Sequence, residues 1–256
     1  MKDTIAVVTG AAGGIGAAVA EALAVRGASV ALLDRDAGRL AVVAKELTSA
    51  GHRATAFPAD VTSGQDVEAV IEAVEERLGP VDRLVNAAGV LRTGPAHGFA
   101  DEDWEATFAV NTTGVFHVSR AVVRRMRTRR RGALVTIASN AAGTARTEMA
   151  AYAASKAAAS MFTKCLGLEN AAYGIRCNVV APGSTDTPML TALWDDASAA
   201  DASISGVPEA FRVGIPLAKL ARPKDVADAV LFLLSDQASH ITMHHLTVDG
   251  GATLGA

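Results

Sequence analysis

The chain has 256 residues, half of them hydrophobic and 20% charged, which suits one large domain and excludes a disordered polymer. Lys and Arg number 24 against 27 Asp and Glu, for a formal net charge of −3, so no general electrostatic attraction to nucleic acid or an anionic membrane is expected. Two cysteines, Cys165 and Cys177, are too few for a disulfide framework, and the six histidines show no ligand-like spacing, so core cysteines, a reduced cytoplasmic setting and no structural metal are expected.

From Met1 the sequence runs into a short apolar stretch without a long h-region, and no apolar run approaches ~18 uninterrupted residues, so neither a secretion signal nor a membrane span is expected. Apolar runs rich in Val, Ile and Leu predict buried parallel strands at Ile5–Thr9, Ser29–Leu33, Thr55–Phe57, Arg83–Asn86, Leu134–Ala138 and Cys177–Ala181, with a last one near Leu246–Val248. Helical spacing lies between them. Ile15, Val19, Leu23 and Arg26 mark one helix, Val67, Val70, Ile71, Val74 and Leu78 a second, and Val226, Val230, Leu233 and Leu234 a late one. Six arginines within Arg124–Arg131 read as the solvated C-terminal turn of a helix, where cations complement the dipole. The segment Gly183–Pro216 lacks sheet character and predicts a substrate lid with one or two short helices, at Met189–Trp194 and Pro208–Val213. The alternation predicts an α/β fold: one domain over residues 1–256, with a single doubly wound, Rossmann-type parallel sheet of about seven strands and helices on both faces. Such a sheet binds ligands beyond the carboxyl ends of its strands.

The first strand ends in Thr9-Gly10-Ala11-Ala12-Gly13-Gly14-Ile15-Gly16 and a helix follows. Gly10 permits a tight turn, Gly14 lets backbone approach a pyrophosphate, and Gly16 allows close helix packing, so a dinucleotide is expected at the helix N-terminus. Asp34 ends the second strand. Its carboxylate suits the two ribose hydroxyls and repels a 2′-phosphate, favouring NAD, although Arg35 next to it leaves NADP open. Asp60-Val61 and Asn86-Ala-Ala-Gly89 lie at the next strand ends and are candidates for the adenine and ribose pocket. Tyr152 and Lys156, four apart, share a helix face, and Ser139 ends a strand thirteen residues earlier. A free tyrosine titrates at about 10, so an adjacent ammonium, helped by a positive nicotinamide, is expected to favour its phenolate.

These residues, together with Asn111 and Asn178-x-x-x-Pro182-Gly183-x-x-x-Thr187, resemble the short-chain dehydrogenase/reductase family over nearly the whole chain. The resemblance implies Tyr152 as general acid/base, Lys156 lowering its pKa and holding the nicotinamide ribose, Ser139 binding the reacting oxygen, and Asn111 organising a water relay. It places Pro182 and Thr187 beside the nicotinamide. Val85–Gly94, Phe108–Asn111, Arg176–Val180 and Val248–Ala256 are similar to a subgroup that oxidises a cyclohexadiene diol carboxylate to a catechol acid for siderophore assembly. That implies oxidation of the C3 hydroxyl of 2,3-dihydro-2,3-dihydroxybenzoate. Oxidation of trans-2,3-dihydro-3-hydroxyanthranilate, ketoacyl reduction, and a non-catalytic NAD-binding scaffold remain as alternatives.

A ring carboxylate entering an apolar cleft needs a cation, and Arg92 and Arg146 are the candidates. Asn140 stands where an acidic residue would be expected, beside the ring C2 substituent. Met189, Leu190, Trp194 and Phe211 are candidates for an apolar lid. The family also implies a homotetramer, with the helices around Asp103–Arg127 and Tyr152–Ala172 packed across a two-fold axis.

Overall fold

The computed structural model describes residues 1–194 and 198–255. Its strands are β1 (Ile5–Thr9), β2 (Ser29–Asp34), β3 (Ala54–Pro58), β4 (Val81–Asn86), β5 (Gly132–Ile137), β6 (Ile175–Pro182) and β7 (His245–Val248). They form one parallel sheet in the order β3-β2-β1-β4-β5-β6-β7. The chain runs outward from β1 to β3, returns to β4, and runs the other way, so a crevice opens where the carboxyl ends of β1 and β4 part. Val7, Val8, Leu84, Val85 and Val135 are fully buried, because helices cover both faces; that is why these strands read as unbroken apolar runs.

The helices are α1 (Gly14–Val25), α2 (Ala37–Ser49), α3 (Gly64–Leu78), α4 (Asp101–Phe108), α5 (Val115–Arg129), α6 (Ala150–Asn170), α7 (Pro188–Thr191), α8 (Ser198–Ser205) and α9 (Pro223–Leu234). On one face α1, α2 and α9 share a core, in which Val19, Leu23, Leu40, Val226 and Val230 meet the sheet. On the other, α3 and α5 pack through Val67, Ile71, Val118, Val122 and Met126. One wide π-helical turn, Ala109–Gly114, joins α4 to α5 and carries Asn111. Such turns insert an extra residue and re-aim side chains near functional sites.

Three expectations are corrected. The Arg124–Arg131 run is not simply a solvated helix end. Arg124 and Arg125 reach Glu68 at 3.0 and 3.3 Å, Arg129 reaches Glu75 at 3.0 Å, and Arg131 reaches Asp82 at 2.8 Å. Glu68 and Glu75 lie two turns apart on the facing side of α3, so the arginines clasp α5 to α3 and to the start of β4. Cys165 is exposed on α6, whereas Cys177 is buried and its thiol is pushed up to about 12 by that burial. In the lid, the first helix is shorter than expected: Thr187 Oγ1 accepts from Leu190 N, Pro188 takes the first helical position, and the helix stops at Thr191. The second is only a 3₁₀ turn, Pro208–Ala210, because Phe211 adopts a left-handed φ of 54°. α8 was not foreseen, since its small, polar sequence carries no apolar stripe; residues 195–197 of the expected lid lie outside the described residues. Among the described residues no helix is long and apolar enough to cross a membrane.

Candidate active site

The crevice is a cleft of about 840 Å³ running from the glycine turn to the lid. Gly10 has φ 67°, and a Cβ there would come within 2.7 Å of Ala88 N; a Cβ on Gly16 would collide with the Gly10 carbonyl. The turn is therefore pressed against both the helix and the neighbouring strand end, and only hydrogen fits. Thr9 Oγ1 accepts from Ala87 N and Ala88 N, at 3.1 Å each, which fastens the ends of β1 and β4 across the crevice. Gly14 and Ile15 line the cleft at the α1 N-terminus, where free N–H groups and the helix dipole suit a diphosphate.

Asp34 lies at the β2 end with Oδ2 accepting from Ala12 N at 3.2 Å and Oδ1 from Asp36 N at 3.0 Å. These two bonds hold the carboxylate beside the glycine turn, where an adenosine ribose would lie. Asp60 and Val61 also line the cleft, Asp60 being held by Thr62 N and Oγ1 at 2.9 and 2.8 Å. Gly89, Pro182 and Thr187 line it further along. Asn86 does not. It is buried beneath the cleft floor, donating to Ser119 Oγ at 2.9 Å, so the lining at this strand end is left to Ala87, Ala88 and Gly89.

At the far end Ser139, Tyr152 and Lys156 converge, each less than a tenth exposed. Tyr152 and Lys156 sit on one face of α6, and Ser139 directly follows β5 and Ala138. Lys156 Nζ donates to Ile137 O at 3.0 Å and lies 5.8 Å from the Tyr152 ring centre. Burial pushes the Lys156 ammonium down to about 8. The Tyr152 phenol is raised by burial, with hydrogen bonding from Ser139 opposing the rise. Among the protein's own groups, burial thus outweighs the lowering expected from the ammonium. Asn111 is fully buried and does not face the cleft. Its Oδ1 accepts from Val90 N and its Nδ2 donates to Val90 O, both at 2.9 Å, and Nδ2 also donates to Ser155 Oγ at 3.0 Å. Ser155, the serine between Tyr152 and Lys156 in their shared motif, in turn donates to Tyr152 O at 2.7 Å, so Asn111 positions the strand-end loop against the Tyr152 turn.

The two candidate carboxylate receptors separate. Arg146 lines the same cleft as Ser139 and Tyr152, whereas Arg92 turns outward to an ion pair with Asp103 at 3.1 Å and does not line it. The acidic first turn of α4 captures Arg92, a pairing that sequence spacing does not reveal. Asn140 lines the cleft and donates to Asp249 Oδ2 at 3.3 Å, so the carboxylate expected at position 140 is supplied one step behind it, from the chain after β7. Met189, Leu190 and Trp194 line the lid side; Phe211, 89% exposed, does not.

Residues 4–198 match the short chain dehydrogenase family. The chain belongs to that family. A phenol and an ammonium one helical turn apart at the end of a dinucleotide crevice are what the family resemblance implied. Its relatives include 2,3-dihydro-2,3-dihydroxybenzoate dehydrogenase of Bacillus subtilis (strain 168), 58% identical over 255 residues and covering 100% of this chain and 98% of that protein. The Escherichia coli (strain K12) protein of the same name is 44% identical over 249 residues, covering 97% and 96%. Among solved structures, a gluconate 5-dehydrogenase from Burkholderia cenocepacia J2315, in complex with NADP and tartrate, superposes with a TM-score of 0.92 at 34% identity, covering 100% and 97%.

Proposed function

We propose that this dehydrogenase oxidises the C3 hydroxyl of 2,3-dihydro-2,3-dihydroxybenzoate to 2,3-dihydroxybenzoate with NAD, residues 1–256 acting as one domain and 183–216 as its substrate lid. The observation that carries this reading is Arg146, a half-buried arginine lining the same cleft as Tyr152 and Ser139, in a chain 58% identical over 255 residues to an enzyme of that name. A cation there suits a ring carboxylate, a group that a ketoacyl thioester lacks.

The glycine turn fits a dinucleotide, since side chains at Gly10 and Gly16 would fill the cradle. Asp34 favours NAD, because a 2′-phosphate would meet a fixed carboxylate. NAD, when bound, supplies the acceptor for the hydride lost from C3 and adds positive charge near the phenol. The chain does the rest. Lys156 and that charge draw the Tyr152 phenol toward its ionised form, Tyr152 Oη takes the C3 hydroxyl proton, and Ser139 Oγ hydrogen-bonds the same oxygen. Arg146 holds the carboxylate so that the ring lies flat across the phenol, and the apolar lid residues Met189, Leu190 and Trp194 keep water from the ring. The resulting cyclohexadienone tautomerises to the aromatic catechol acid, which draws the oxidation to completion.

The test is NADH absorbance with the diol acid, with its 2-amino analogue and with a ketoacyl thioester. Fastest turnover of the diol acid is expected; turnover of the thioester alone would defeat the reading. In the same assay Asp34→Ala is expected to lose its preference for NAD over NADP by about 10-fold or more, as a ribose–carboxylate contact disappears and Arg35 and Arg39 stay in the cleft. The enzyme would act in the cytoplasm, feeding siderophore assembly. We also propose a homotetramer. Trp104 stacks on Phe108 at 4.7 Å and Phe116 meets Phe162 at 6.0 Å, while Trp104, Phe116 and Met161 stay exposed along α4, α5 and α6. Sedimentation at the mass of one 26.2 kDa chain would contradict that assembly.

A further inference from the structure

Arg146 faces a companion that neither the glycine motif nor the catalytic motif marks. Arg212 lines the same cleft, contributed by the segment between β6 and α9. Its backbone is fixed. Val207 N donates to Arg212 O at 2.9 Å and Arg212 N donates to Val207 O at 3.0 Å, closing a small antiparallel loop. Gly206 and Gly214 pass through the neck of this loop at φ 93° and 84°; a Cβ on Gly206 would lie 2.5 Å from Arg212 O, and one on Gly214 2.5 Å from Ile204 O. Phe211, immediately before Arg212, is held in a left-handed conformation that an aromatic residue rarely adopts, with its ring in solvent. The chain accepts a strained, exposed phenylalanine in the same tight loop that sets the neighbouring arginine at the cleft.

Among the arginines that line the cleft, Arg35 and Arg39 stand with Asp34 and Asp36 at the cofactor end, whereas Arg146 and Arg212 are close enough for each to feel the other's charge. Arg146 is held below its ordinary range by burial and then by the charge of Arg212, with Asp249 opposing. Asp249 is already engaged: it accepts from Asn140 Nδ2 at 3.3 Å, Gly251 N at 2.9 Å, Thr253 N at 3.0 Å and Thr253 Oγ1 at 2.8 Å. Among the described residues neither arginine forms an ion pair with a carboxylate. A planar carboxylate offers two oxygens, one for each fork, and its charge relieves the repulsion between them.

We propose that Arg212 is a substrate-binding residue that determines specificity, forming with Arg146 a two-arginine receptor for the carboxylate of a flat ring acid: Arg146 from the floor of the cleft, Arg212 from its lid. This rests on the reading above that the substrate carries a ring carboxylate. Lid and floor then grip one group, so acids bind in a single orientation, and neutral ring alcohols of the same size are discriminated against.

The experiment is calorimetric titration of the NAD-loaded protein with 2,3-dihydroxybenzoate and with catechol, which has the same ring without the carboxylate. Wild type is expected to prefer the acid. Arg212→Gln is expected to weaken the acid by about 10- to 100-fold while leaving catechol and NAD affinities unchanged. Arg212→Lys, which keeps the charge and loses the fork, is expected to fall between; it also serves if the glutamine variant folds poorly, as an NAD titration would reveal. With the diol acid as substrate, the glutamine change is expected to raise KM more than it lowers kcat. An unaltered preference for acid over catechol in both variants would overturn the role of Arg212 while leaving the proposed reaction standing. Equal affinity of wild type for acid and catechol would instead overturn the carboxylate reading, and the two-arginine receptor with it.

Discussion

Tyr152→Phe is expected to lower kcat by about 10²- to 10⁴-fold, the range that a positioned proton acceptor contributes. The substitution removes one oxygen from a side chain that is 8% exposed, so packing on α6 is preserved. Ser139, Lys156 and Arg146 stay where they are, and the dinucleotide cradle is built from elements at the other end of the cleft. Affinity for NAD, measured by fluorescence titration, is therefore expected to stay near wild type while NADH production fails. Burial raises the phenol and Ser139 only partly offsets that, so its ionisation depends on Lys156 and on the positive charge that NAD would add when bound. Near-normal turnover in the phenylalanine variant would remove Tyr152 from the proton transfer altogether.

Lys156→Met is expected to move activity and stability in opposite directions. The ammonium is buried, with Ile137 O its hydrogen-bond acceptor, and its value is pushed down to about 8 from an ordinary 10.5. Between those two values the folded protein binds fewer protons than the unfolded chain. Stability therefore rises with pH across that window: the penalty for burying the charge is full below about 8 and gone above 10.5. At 1.4 kcal/mol per unit the penalty is about 3 kcal/mol, from which about 1 kcal/mol is lost again when Ile137 O gives up its partner. Methionine fills a similar volume without the charge. The variant is expected to melt higher than wild type at neutral pH, with the advantage fading toward pH 10.5, and to turn over about 10²- to 10⁴-fold more slowly. A lower melting temperature for the variant at neutral pH would show that the ammonium is not held at a cost.

What could be read along the chain and what could not follows from where each signal resides. Strands covered on both faces announce themselves as apolar runs, so β1 and β2 were legible almost to the residue. β4 begins two residues earlier than its apolar run suggests, because Asp82 is buried there, accepting from Ile5 N at 3.1 Å and pairing with Arg131. The glycine turn and the Tyr152–Lys156 pair are local spacings and survive intact. Arg92, Asn86 and Phe211 do not, because their fates are decided by partners remote in sequence or by one backbone angle: Asp103 takes Arg92, Ser119 takes Asn86, and a left-handed φ turns Phe211 outward. Arg212 was invisible for the same reason, since a single arginine in a segment of small residues has no periodic context.

The packing of α1 against α9 sets the order in which this protein can mature. Val19, Ala20 and Leu23, at the heart of the cofactor half, find partners in Val226, Val230 and Leu233, which the ribosome delivers long after α1. Until Pro223–Leu234 leaves the exit tunnel, the helix that will cradle the diphosphate carries an uncovered greasy stripe, on a sheet still lacking β7. Exposed apolar surface of that kind favours association between unfinished chains, and the dinucleotide lends its binding energy to folding only once α9 has been made to cover α1.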